Sequence, residues 1–203
     1  MKRHKIHVKS AGERIETVIE APDGMPRGLA LIAHPHPLRG GSLDNKVAWC
    51  LAKAALASGL VAVRPNFRGV GESTGAHDHG VGETDDMLAV AAVVGANYGG
   101  LPWTLMGFSF GCYVQQRVAQ RMAARQLIMV GPAVSMYAFA PPAIPTSIVH
   151  GAEDEVIPLA TVRAYAEAHA IPLHIVGDTG HFFHGKLREL QTLVESLCLR
   201  HSS

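Results

Sequence analysis

The stretch Thr104-Leu105-Met106-Gly107-Phe108-Ser109-Phe110-Gly111-Cys112-Tyr113-Val114 passes from one periodicity into another across a single serine. Before it, "WTLM" (103–106) reads as a strand. After it, "CYVQQRVAQRM" (112–122) places Val114, Val118 and Met122 four apart on one helical face. Strand and helix are joined by G-x-S-x-G, too short for anything but a tight turn. Such a turn exposes the serine hydroxyl at the end of a strand and sets the free N–H groups of a helix N-terminus beside it. Glycines two residues either side relieve the crowding that the turn creates.

A second match, Gly71-Glu72-Ser73-Thr74-Gly75, has neither neighbour. Arg68-Gly69-Val70-Gly71 is too glycine-rich for a strand, and Gly75-Ala76-His77-Asp78-His79-Gly80 does not start a helix cleanly. Ser73 reads as a loop residue whose glycines serve a turn, and Ser109 as the nucleophile.

Working outward, the rest of the chain repeats the same alternation. "KIHVKS" (5–10) and "ERIETVIEA" (13–21) alternate in polarity and read as an antiparallel hairpin. "GLALIAHP" (28–35) is a continuous apolar run that suits a strand buried on both faces, and "LVAVRPN" (60–66), "WTLMGF" (103–108), "QLIMVG" (126–131), "TSIVHG" (146–151) and "LHIVGD" (173–178) read as further strands. Between them lie helical patterns at 44–59, 83–99, 112–124 and 159–170, with a last one from about Lys186 to Leu199. Strands alternating with helices predict an α/β fold with a mostly parallel sheet of about eight strands, helices on both faces and the hairpin at one edge. No internal linker interrupts the pattern, so residues 1–203 read as one domain.

The totals narrow the function. A formal net charge of +1 and scattered lysines and arginines argue against nucleic acid. The one basic cluster, Met1 to Lys5, reads as a solvated terminus; no apolar segment of signal-peptide type follows it. No run of eighteen apolar residues predicts a membrane span. Cys50, Cys112 and Cys198 are odd in number and far apart, which reads as reduced thiols in a cytoplasmic protein.

An activated serine needs a base and an acid to orient it, in the chain order Ser, Asp or Glu, His. "SIVHGAEDEVIP" turns at Gly151 after its strand and puts Asp154 in the following loop, and "LHIVGDTGHFFHG" places His181 beyond the last strand. In this arrangement His181 takes the Ser109 proton while Asp154 fixes the imidazole tautomer and stabilises its cation. Glu153, Glu155 and Asp178 are rival acids, and His184 is a rival base. His150 and Cys112 read as packed residues, while Arg68 and Asn45 either touch substrate or brace loops.

Taken together, these residues resemble the α/β-hydrolase fold family, and in particular its small lid-less bacterial members related to dienelactone hydrolase. The motifs that carry the resemblance are the loop from Ala33-His34-Pro35-His36-Pro37 through Gly40-Gly41 to Asp44-Asn45-Lys46, "NFRGVGES", "GFSFG", "HGAEDEVIP" and "GHFFHG", spread over residues 4 to 200. The resemblance implies an oxyanion hole built from two backbone N–H groups. One is that of Phe110, just after the nucleophile. The other comes from the strand-3 loop, where Pro35 and Pro37 have no N–H and His36 is the remaining candidate. It also implies that "RGVGES" shapes a loop and takes no part in attack.

The expected activity is serine hydrolysis of a small-molecule ester, without metal or organic cofactor. The rate should rise with pH as His181 loses its proton, near the ordinary histidine value of about 6.5. Only "PAVSMYAFAPPAIP" follows the strand after which lids are inserted, so an open site for short acyl groups is expected. Met136, Tyr137, Phe139, Phe182 and Phe183 are candidates either for its lining or for the core. Two other classes compete: a metal-dependent hydrolase built on the His34-x-His36 and His77-x-His79 pairs, and a non-catalytic binding module on the same fold. Oligomeric state is not readable.

Overall fold

The computed structural model describes residues 2–200. Eight strands form one sheet: β1 (Lys2–Ser10), β2 (Glu13–Ala21), β3 (Gly28–Ala33), β4 (Leu60–Pro65), β5 (Trp103–Phe108), β6 (Gln126–Val130), β7 (Thr146–Gly151) and β8 (Leu173–Val176). Their spatial order is β1-β2-β4-β3-β5-β6-β7-β8. β1 pairs antiparallel with β2, and β2 antiparallel with β4. From β4 to β8 every pairing is parallel.

Five helices cover the two faces: α1 (Lys46–Ala57), α2 (Val81–Gly95), α3 (Phe110–Ala119), α4 (Leu159–Ala168) and α5 (Leu187–Arg200). α1 and α5 bury Leu51, Ala55, Leu190 and Val194 against Ile32, Met106 and Ile128 on one face. On the other, α2, α3 and α4 bury Met87, Val114 and Val162 against Leu31, Leu105 and Met129. Strands covered on both sides have no polar face to show, which is why β3, β4, β5 and β6 are buried along their whole lengths. Each fully buried large apolar side chain contributes roughly 1.5–3 kcal/mol.

The edges of the elements depart from the sequence reading in informative ways. β1 begins at Lys2, three residues before the alternation becomes visible, so the basic cluster is part of a paired strand and not a bare terminus. Met1 lies outside the described residues. Arg3, His4 and Lys5 are exposed on this edge strand, where charge discourages pairing with another sheet. α2 starts two residues earlier than its spacing indicates. The Glu83 carboxylate reaches back to the Gly80 N–H at 2.8 Å and caps the helix there. α3 starts at Phe110, directly behind Ser109, and stops at Ala119, where residues 120–122 turn away.

The parallel arrangement brings the C-terminal ends of β3, β5, β6 and β7, and the loop after β8, to one rim of the sheet. His36, Ser109, Asp154 and His181 sit in turns and loops leaving that rim, and Phe110 opens the helix behind Ser109. Between Val130 and Thr146, the ends of β6 and β7, there is no helix. Among the described residues no lid covers the rim.

Candidate active site

The turn after β5 holds Ser109 at φ 55°, ψ −117°, a conformation that costs a residue with a side chain about 1–3 kcal/mol. The Ser109 N–H donates to the Val130 carbonyl at 3.0 Å, and its own carbonyl accepts from the Cys112 N–H at 3.0 Å. Strand β6 and the first turn of α3 therefore hold the strained residue from both sides. The flanking glycines are required by packing. A Cβ on Gly107 would lie 2.5 Å from the Gly111 carbonyl oxygen, and one on Gly111 would collide with the Ala33 carbonyl. The Cys112 thiol donates to the Gly107 and Val130 carbonyls at 3.1 and 3.3 Å, fully buried behind the turn. Burial pushes its pKa upward, so this thiol is packing.

His181 and Asp154 arrive from the loops after β8 and β7. His181 Nε2 lies 3.0 Å from Ser109 Oγ, and His181 Nδ1 lies 2.7 Å from Asp154 Oδ2. The carboxylate's other oxygen, Oδ1, accepts from the Val156 and Ile157 N–H groups at 2.9 and 2.7 Å. Burial alone would raise the Asp154 pKa. The hydrogen bonds from His181 and Ile157 outweigh it and hold the carboxyl below its usual range. A fixed anion next to Nδ1 places the ring proton there and leaves the Nε2 lone pair facing the serine. Gly131, at φ 53°, lets the ring lie flat over it; a Cβ there would be 3.2 Å from His181 Cε1.

The rivals lie elsewhere. Glu153, Glu155 and Asp178 are exposed, and Asp178 faces Lys186 at 3.5 Å. His184 is exposed, its ring stacked 6.0 Å from that of Phe182. Ser73 accepts from the Glu16 N–H and donates to the Asn66 carbonyl, both at 2.9 Å, so its hydroxyl ties β2 to a loop. Arg68 is bound bidentately to Asp86 at 2.7 and 2.8 Å and braces its loop on α2.

The loop after β3 is built as tightly as the serine turn. His34 is fully buried, with Nδ1 2.7 Å from the Pro35 carbonyl and Nε2 accepting the Phe67 N–H at 2.9 Å. Burial lowers its pKa to about 3, so it is a neutral cross-brace with both nitrogens occupied. Asn66 accepts from the Leu43 N–H at 2.8 Å, and Arg64 donates to the Leu43 carbonyl at 2.7 Å, holding the same loop from below. The His36 carbonyl accepts from the Arg39 and Gly41 N–H groups, both at 3.1 Å, closing a short turn. Among the described residues, neither the His36 amide nor the Phe110 amide donates to a protein acceptor, and the two side-chain rings are 5.0 Å apart. His77 pairs with the buried Glu83 at 2.7 Å, 4.8 Å from the His36 ring. Among the described residues, no group of three or more His, Cys, Asp or Glu side chains is arranged to hold a metal ion.

Chains of known structure share this fold. An alpha-beta serine hydrolase homologue from Coxiella burnetii is 38% identical, with 97% of this chain and 98% of that one covered at a TM-score of 0.91. An α/β serine hydrolase without lid from Xanthomonas campestris is 32% identical, covering 98% and 94%, at a TM-score of 0.92. The chain belongs to the lid-less α/β-hydrolase family. Among curated proteins, the uncharacterized protein RP471 of Rickettsia prowazekii is 33% identical over 181 residues, 82% of this chain and 76% of that one. No protein-family model matches.

In this α/β-hydrolase the rim opens into a cavity of about 170 Å³. Ser109, Phe110, His36 and His181 line it, and Met136, Tyr137 and Phe182 contribute apolar surface beside them. Met136 and Phe182 remain 49% and 43% exposed, so the cavity is open at its rim. Two of the five aromatic or thioether candidates fall outside it. Phe183 is fully buried among α1 and α5 residues, and the Phe139 ring packs, tilted or edge-on, 5.7 Å from both Tyr113 and Tyr165. Arg39, Ala133 and Val156 also line the cavity and carry no signal in the sequence by which they stand out. Asn45 both lines the cavity and caps α1 through Oδ1, 2.9 Å from the Val47 N–H. Among the described residues no helix is long and apolar enough to cross a membrane.

Proposed function

We propose that this hydrolase is a serine esterase acting on small, short-chain acyl esters through Ser109, His181 and Asp154. The observation that carries the reading is the continuous hydrogen-bonded chain from Asp154 Oδ2 through both His181 nitrogens to Ser109 Oγ. Ser109 Oγ attacks the acyl carbon as His181 Nε2 takes its proton. The carbonyl oxygen becomes an oxyanion facing the amides of Phe110 and His36, the two with no protein acceptor. Collapse of the tetrahedral species expels the alcohol, which receives the proton from His181. Water then repeats the sequence on the acyl-enzyme and frees the acid.

The cavity volume of about 170 Å³ supports small substrates, and the apolar wall of Met136, Tyr137 and Phe182 suits an acyl chain. The reading calls for no cofactor, no nucleic acid and no membrane. A cytoplasmic location belongs to it, supported by three buried cysteines that form no disulfide among the described residues. The test is hydrolysis of a p-nitrophenyl ester series. Turnover should be highest for acetate to butyrate, fall for laurate and longer, and vanish in Ser109→Ala. Equal turnover by Ser109→Ala would overturn the reading.

A further inference from the structure

Behind Asp154 lies a histidine that the reaction above does not use. His150, near the end of β7, is fully buried, with Nε2 3.0 Å from the Ile157 carbonyl oxygen and 3.5 Å from Asp154 Oδ2. A ring nitrogen facing a carbonyl carries the proton, because the carbonyl can only accept. Burial lowers the His150 pKa; the Asp154 charge and the Ile157 carbonyl pull the other way, and His181 adds to the lowering. Asp154 and His181 are the titratable groups that act on it. In the neutral ring Nδ1 is then a bare acceptor, and it is buried without a partner.

A buried ring with an unused acceptor is a costly way to fill space. A phenylalanine would fill the site without that unused acceptor, but it would leave the Ile157 carbonyl without its donor. What the imidazole adds is one N–H at the back of the Asp154 turn. Ile157 donates its N–H to Asp154 Oδ1 and offers its carbonyl to His150, so both of its polar groups are held. The same N–H lays positive charge beside Oδ2, the oxygen that His181 uses.

We infer that His150 is a positioning residue for Asp154, clamping the turn through Ile157 and damping the basicity of the carboxylate oxygen that faces His181. The inference rests on the esterase reading above. Without the N–H, Oδ2 holds the His181 cation more tightly, so His181 releases its proton at higher pH.

His150→Phe removes the donor and keeps an aromatic ring, in a somewhat larger side chain, while His150→Gln retains a side-chain N–H. Both are measured for kcat and KM on p-nitrophenyl acetate across pH and for thermal unfolding. In His150→Phe the midpoint of the acid limb should rise by about half a pH unit, with kcat down about tenfold and KM within about twofold. His150→Gln should restore the midpoint. A folded His150→Phe with the wild-type midpoint, or His150→Gln displaced as far as His150→Phe, overturns the inference. If His150→Phe does not fold, nitrogen NMR of the unaltered protein decides it. The inference expects His150 protonated at Nε2 and bare at Nδ1 throughout the neutral range, and an Nδ1–H tautomer or titration there overturns it. That readout needs no turnover. Failure of the esterase reading would show separately, as wild-type hydrolysis that does not depend on Ser109.

Discussion

Gly111, two residues past the serine, packs so closely on Ala33 at the end of β3 that a Cβ would fall inside contact distance of the Ala33 carbonyl oxygen and 2.7 Å from that of His34. The serine turn and the His36 loop are thus in backbone contact, and the two proposed oxyanion donors are set by one interface. Gly111→Ala must push these segments apart. Overpacking of this kind costs about 1–3 kcal/mol of stability. Activity should suffer more, because a displaced donor costs roughly 100-fold or more in kcat. Chemical denaturation alongside kcat on p-nitrophenyl acetate checks both, and a variant with wild-type kcat would separate the two loops functionally.

Asp154→Asn keeps an acceptor for the Val156 and Ile157 amides but removes the charge that fixes the His181 tautomer. The fold should survive, and kcat should fall by about 10³–10⁴ with little change in KM. A loss of less than tenfold would move the orienting role elsewhere.

Ser73 offers the contrasting experiment. Its hydroxyl holds Glu16 and Asn66 and faces no base. Ser73→Ala should lower stability by about 1–2 kcal/mol through the two lost bonds, while kcat/KM stays within about twofold of wild type. A collapse of activity at unchanged stability would contradict the assignment of the two motifs.

His34 predicts how the fold responds to acid. Its folded-state pKa of about 3 lies below the unfolded histidine value, so between the two the unfolded chain binds the extra proton. Stability therefore falls as pH drops through that window, by about 1.4 kcal/mol per pH unit from this one residue. In His34→Gln the slope of unfolding free energy against pH between 4 and 6 should be shallower by about one proton. An unchanged slope would mean that His34 is protonated in the folded state.

The sheet, the two layers of helices and the serine turn were legible because each rests on local periodicity. β3 and β5 are buried along their whole lengths because both of their faces are covered, and α3 keeps its apolar residues four apart. Ser109, Asp154 and His181 were legible for a related reason: each follows directly on a parallel strand, so chain order alone carries them to one rim. What the sequence hid depends on side chains meeting across long separations. His34 looked like half of a metal-type pair, yet its Nε2 is taken by the amide of Phe67, 33 residues away. Phe182 and Phe183 are adjacent and chemically alike. The positive φ of 52° at Phe183 turns one ring into the core and leaves its neighbour at the cavity. The extra residues of β1 were hidden because an edge strand is held by its partner's backbone and needs no apolar pattern of its own.

The central claim is an activated serine at position 109, and a fluorophosphonate probe with mass-spectrometric mapping tests it most directly. The native protein should carry a single adduct on Ser109, lost after heat denaturation and in His181→Ala. No adduct on the folded protein, or one on Ser73, would contradict the account.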